Sequence, residues 1–126
     1  MVAIQTKDLT GAALDWAVAK CEGHKPVFTR HWVTPSHPED PRRVCVPAPS
    51  WVQPFEPSTN WAQGGPIIER ECIFIAPTWD GETAGSSARA SQTAWIEGPT
   101  TLIAAMRCYV ASKLGTAVEV PEELAP

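Results

Sequence analysis

Nowhere in the 126 residues do about 18 apolar side chains run together, so no segment is built to cross a bilayer as a helix. Basic runs are missing as well. None is longer than the pair Arg42-Arg43 and the net charge is -4, so the footprint that polymeric nucleic acid requires is lacking. The four cysteines, at positions 21, 45, 72 and 108, form no Cys-x-x-Cys pair, and in a reducing compartment they are expected to remain thiols that pack as small apolar residues. Cys21 and His24 have ligand-like spacing, and His31, His37 and Cys45 follow. No second paired motif completes a metal site, so neither a metal nor a cofactor is expected. A Walker lysine, a Gly-x-Ser-x-Gly elbow and a His-Glu-x-x-His pattern are all absent. Between Met1 and Leu9 there is neither a basic nor an apolar leader region, which predicts an unexported protein.

What the chain does have is proline and tryptophan, thirteen and six residues respectively, in a composition of 44% apolar and 19% charged residues. That is an ordinary globular balance in a chain long enough for one domain spanning residues 1–126. Leu9 to Gly23 reads as a helix with Thr10 as N-cap and Gly23 as its stop. Leu14, Val18 and Cys21 form a core stripe, with Trp16 beside it. Val27 to Val33 is β-branched and aromatic, and predicts a strand. Residues 34–57 carry seven prolines and predict a long extended loop, in which Val44-Cys45-Val46 is at best a short edge strand.

Further on, Cys72 to Ala76 predicts a buried strand, residues 81–87 a turn, and Ser91 to Ile96 the strand that returns to pair with it. Thr101 to Leu114 is the clearest helix, striped by Ile103, Met106, Val110 and Leu114, broadened by Leu102 and Tyr109, and closed by Gly115. Residues 116–126 predict an extended tail on the surface. The fold class that follows is α+β: a small, mainly antiparallel sheet against the N- and C-terminal helices, with the proline-rich loop over one side.

The segment from Ser58 to Glu71 has the composition of a binding loop. Trp61 offers a stacking plate, Asn60 and Gln63 offer paired donor and acceptor groups, and Gly64 and Gly65 offer backbone N–H groups. Pro66 then suits the first position of a helix, whose N-terminus would attract an anion. Arg42 and Arg43 on the proline-rich loop suit closure over an anionic ligand, with Trp51 as an aromatic wall.

Three blocks of this sequence resemble the NinX family of lambda-like bacteriophages and their prophage relatives. They are Thr10 to Gly23, Trp61-Ala62-Gln63-Gly64-Gly65-Pro66-Ile67-Ile68-Glu69, and Leu102 to Gly115. The resemblance implies a small accessory protein made in the host bacterial cytoplasm, with no known catalytic activity. Asn60 stands where the family more often has Asp, and Thr101 where it often has Pro, so a group held by that Asp is held differently here.

Together these features predict a non-catalytic phage protein that binds a small nucleotide-like ligand, for instance to sequester a host defence signal. The expected ligand residues are Asn60, Trp61, Gln63, Gly64, Gly65, Arg42, Arg43 and Trp51. An alternative is a module that docks on a host protein through its tryptophans and proline-rich loop. A nucleotide-processing enzyme using Glu69 or Asp80 is the least supported reading. Six tryptophans also suit a homo-oligomer interface.

Overall fold

Glycines and prolines set most of the element boundaries in the computed structural model, which describes residues 1–29, 43–47, 50–79, 81–90 and 93–124. In chain order the elements are β1 (Val2–Gln5), α1 (Gly11–Cys21), β2 (Val27–Thr29), β3 (Arg43–Pro47), β4 (Val52–Pro54) and α2 (Trp61–Arg70). They continue with β5 (Phe74–Trp79), β6 (Ala84–Arg89), β7 (Ile96–Gly98), α3 (Thr101–Leu114) and β8 (Ala117–Val120). The chain is α+β, as expected, but the strands form three small antiparallel sheets, ordered β1-β8, β2-β3-β4 and β5-β6-β7. No helix among the described residues is long and apolar enough to cross a membrane.

Helix α1 begins after an extended Thr10 and ends before Gly23, whose φ of +80° only glycine adopts without cost. Every residue from Ala12 to Ala19 is buried, Trp16 included, so the expected single stripe is a fully enclosed helix instead. Its alanines explain how: small side chains let α3 and β3 approach from different sides. Helix α3 spans the expected residues, with Thr100 Oγ1 accepting from Ile103 N at 3.2 Å and Gly115 at φ +89° closing it. Its buried face is wider than the expected stripe and excludes Leu114, because α3 packs on α1 and on the β6–β7 strands at once.

Four expectations about strands and the tail are corrected. Within residues 34–57, β3 is the central strand of its sheet, not an edge, and buries Val44, Cys45 and Val46; Pro47 and Pro54 close β3 and β4, where a missing N–H costs least. Residues 30–42 and 48–49, which hold Arg42 and the rest of the expected loop and strand, lie outside the described residues, as do Asp80, Ser91-Gln92 and 125–126.

The partner of β5 is β6, not the segment from Ser91. Trp79 pairs with Ala84 and Phe74 with Arg89, and β6 pairs in turn with β7. The Ala-Gly-Ser-Ser-Ala-Arg sequence of β6 looks like a loop because its residues are chosen for thinness: Ser86 and Ala88 lie buried against α3. Strand β5 is an edge strand with Phe74, Ile75 and Trp79 exposed, rather than a buried one. The tail is extended but not on the surface. Val118 and Val120 of β8 alternate into the core, and β8 pairs with β1 from Val2↔Val120 to Gln5↔Ala117.

The C-terminal ends of α1 and α2 are tied to α3 by a polar clamp. Arg70 donates to both oxygens of Glu22, at 3.1 and 2.7 Å, and to Glu71 Oε2 at 3.0 Å. Tyr109 OH donates to Glu22 Oε2 at 2.7 Å, and Lys113 Nζ lies 3.3 Å from Glu71 Oε1. Burial opposes ionisation of Glu22, but the hydrogen bonds from Arg70 and Tyr109 outweigh it and hold the carboxyl below its ordinary range. Burial beside Glu22 pushes the Cys21 thiol up to about 12, so this cysteine stays protonated.

A carboxyl with a lowered folded pKa stabilises the fold above its unfolded pKa, and the contribution fades as pH falls through the folded value. Glu22→Gln is therefore expected to lower stability at pH 7 by about 1–2 kcal/mol. It should also flatten the loss of stability between roughly pH 5 and 3. Urea denaturation across that range checks both; an unchanged acid slope would show that Glu22 is not the linked group.

Candidate ligand cleft beside Trp61

The expected binding segment is a helix almost throughout. Asn60 is the N-cap of α2, with its Oδ1 accepting from Ala62 N at 2.9 Å, so the helix starts five residues before Pro66. Pro66 is thus an interior residue and not the first one, and the anion-attracting terminus expected at Gly64-Gly65 is corrected accordingly. Proline is tolerated there because only the exposed Ala62 carbonyl loses a helical partner, and water can replace it.

The two glycines have different tasks. A Cβ on Gly64 would lie 2.5 Å from the Pro57 carbonyl oxygen and 2.6 Å from Leu102 Cδ2, so this glycine lets α2 sit directly on the preceding loop and on α3. Gly64 N donates to Asn60 O at 2.9 Å. At Gly65 the nearest neighbour of a Cβ would be Trp61 Cε3 at 3.9 Å, which is ordinary contact.

Of the two amide side chains, Asn60 is occupied with capping. Gln63 accepts from Glu56 N at 2.6 Å and donates to Pro54 O at 2.9 Å, stapling the loop before the helix. Arg43 forms a salt bridge to Glu56 at 3.0 Å with both side chains largely buried, so it braces the same loop from β3. Phe55 is buried with its ring 5.5 Å from His24, edge to face. Trp51 is 60% exposed and lies apart from the cleft described next; Arg42 lies outside the described residues.

That cleft, of about 410 Å³, opens between the start of α2 and the start of α3. Ser58, Thr59, Trp61 and residues 100–103 line it. Trp61 is 58% exposed, so its indole is available as a wall. Thr100 Oγ1 caps α3 and Thr101 Oγ1 lies 2.9 Å from Ser86 Oγ, so both hydroxyls are engaged.

Ser58 differs. It is only 2% exposed and its N–H donates to Asp15 Oδ1 at 2.9 Å, yet its Oγ has no hydrogen-bond partner among the described residues. A buried hydroxyl without a partner is uncommon and calls for an explanation. In the sequence, Ser58 stands out only as a hydroxyl near the loop. The signal that could have found it is the pairing of Ser58-Thr59 with Thr100-Thr101, two hydroxyl pairs that each precede a helix. Of the residues expected to bind a ligand, the structure brings only Trp61 to this cleft; Asn60, Gln63, Gly64 and Gly65 share its helix end and hold that end in place.

Gly64→Ala is expected to destabilise the protein by about 2–3 kcal/mol through overpacking against Pro57 and Leu102. Gly65→Ala should stabilise it by about 0.5–1 kcal/mol through helix propensity. Thermal melts of the two variants separate them; equal effects would contradict the close approach at Gly64.

No curated protein matches the chain. A family model described as Bacteriophage P22, NinX matches residues 5–113, a span that contains α1, α2, all of α3 but its last residue, the Trp61 cleft and the glycine contact that shapes it. The chain belongs to this phage NinX family.

Proposed function

We propose that this phage accessory protein acts by binding, without chemistry, a small nucleotide-like ligand in the cleft beside Trp61. Sequestration of a host defence signal in the bacterial cytoplasm is the role that such binding would serve. The observation that carries the reading is Ser58, which lines a cleft that also presents an exposed indole and whose buried Oγ is unsatisfied among the described residues. An indole face stacks on any planar base, and a lone hydroxyl can donate to or accept from a ring edge or a ribose. Rotation about χ1 offers that hydroxyl to an occupant.

At about 410 Å³ the cleft falls within the range of small-molecule sites, toward the lower end. That size favours one nucleoside-like moiety. The described lining consists of hydroxyls, an indole and aliphatic groups, which recognise a ligand but do not relay protons.

A second reading, docking on a host protein, is favoured by the neighbouring exposed pair Trp51 and Val52 at the edge strand β4. A host-lysate partner lost in Trp51→Ala but retained in Trp61→Ala would support it.

Calorimetry against a panel of cyclic dinucleotides, ADP-ribose derivatives and mononucleotides tests the first reading. Trp61→Ala should abolish binding while leaving a cooperative melt. Ser58→Ala should leave the unliganded protein as stable or slightly more stable, since it removes an unsatisfied group, yet weaken the ligand about fivefold to tenfold. Silence across the panel with folded protein, or a Ser58→Ala variant that binds normally, would overturn it.

A further inference from the structure

Two further clefts meet at one cation. The larger, of about 730 Å³, is lined by Lys7, Trp95, Glu97 and Arg107 among others; a second, of about 500 Å³, by Trp79, Gly85, Pro99, Glu97 and Arg107. None of these residues lines the Trp61 cleft.

Arg107 is held by two backbone carbonyls. Its Nε donates to Leu9 O at 2.7 Å and its Nη1 to Glu97 O at 2.9 Å. These bonds orient the guanidinium without neutralising it, and among the described residues no carboxylate hydrogen-bonds to it. Burial pushes its pKa down, with the field of Asp8 opposing, so the charge is held against a desolvation cost. An arriving anion would relieve that cost.

The aromatic groups lie to either side. Trp79 is 68% exposed and Trp95 is 49% exposed. Trp79 pairs with Ala84, whereas Trp95 adjoins Ile96, which pairs with Ala88 on the same strand. Five residue steps along β6 separate the backbones of the two tryptophans by roughly 17 Å along the strands, and β6 between them adds about 10 Å across the sheet. One nucleoside cannot touch both. Cross-strand partners share a face, so Trp79 lies on the side of the sheet that carries Ser86 and Ala88 onto α3.

We propose that the groove on both sides of Arg107 is a binding site for an extended dinucleotide-class anion, with Arg107 and Lys7 at its phosphates and Trp95 and Trp79 stacking its two rings. This site uses different residues from the Trp61 cleft and stands or falls separately.

Calorimetry of the full chain with diadenosine diphosphate, AMP and inorganic pyrophosphate tests it. The dinucleotide should bind at least tenfold more tightly than either fragment, and Trp95→Ala and Trp79→Ala should each weaken it about tenfold. Raising salt should weaken it further, and Trp61→Ala and Ser58→Ala should leave it unchanged. Arg107→Gln loses two structural bonds and could unfold the protein, so the exposed tryptophan variants decide the matter. Equal affinity for AMP, unaltered binding in both tryptophan variants, or no binding by folded protein overturns the proposal. So does loss of binding in Trp61→Ala, which would move the dinucleotide to the other cleft. A decathymidylate that binds more tightly than the dinucleotide would also overturn it, reassigning the groove to single-stranded nucleic acid.

Discussion

The packing of α1 against α3 is the contact on which the other elements depend. Both helices are rich in buried alanine, Ala12, Ala13, Ala17 and Ala19 in one and Ala104 and Ala105 in the other. Side chains this small bring two helices close without loss of rotamer entropy, and leave the remaining faces of each helix free to receive a sheet. Sheet β2-β3-β4 takes α1 and sheet β5-β6-β7 takes α3, while the β1-β8 ladder lies beside both. Three short sheets of two or three strands are marginal alone and become stable by covering a common helical centre.

Polar groups then place the loops on that centre. Asp15, nearly fully buried in the middle of α1, accepts from Ser58 N and thereby fixes the loop that leads into α2. Gln63 and the Arg43–Glu56 pair hold the same loop from its other side, and the missing Cβ at Gly64 lets it touch α2. A loop restrained at so many points positions Ser58 and Trp61 tightly, and its cost in conformational entropy has already been met before any ligand arrives.

Helices were the legible part of the sequence because their signals are local. Thr100 caps α3 with its hydroxyl, Gly23 and Gly115 close α1 and α3 at positive φ, and Thr10 precedes α1 in an extended conformation without a side-chain cap, all of which involves only neighbouring residues. Strand β6 was illegible because its Ser and Ala residues are selected by the thickness of α3 above them, a tertiary demand with no local trace. Strand β8 did carry a trace, the alternation in Ala117-Val118-Glu119-Val120, but its partner β1 lies at the opposite end of the chain. Pro66 misled for a related reason. Proline is favoured at a helix start, and only the Asn60 cap, five residues upstream of where proline points, reveals the true one.

The candidate sites divide along the same line. Trp61 could be singled out from composition, whereas Ser58 becomes notable only once its hydroxyl is seen to lack a partner, a property no sequence window contains. Arg107 is a still stronger case, since it sits in the middle of α3 and no local pattern in the sequence marks it as a site. Its bonds reach residues 98 and 10 positions away in sequence, and both acceptors are uncharged carbonyls. Had a structural role alone shaped this position, a carboxylate within hydrogen-bond reach would satisfy the guanidinium more fully, because a charged acceptor gives a hydrogen bond roughly twice as strong. Asp8 is close enough in sequence to Leu9 to supply one, yet its influence on Arg107 is a field and not a bond among the described residues. An arginine that is anchored but left charged suits recognition of an anion from outside.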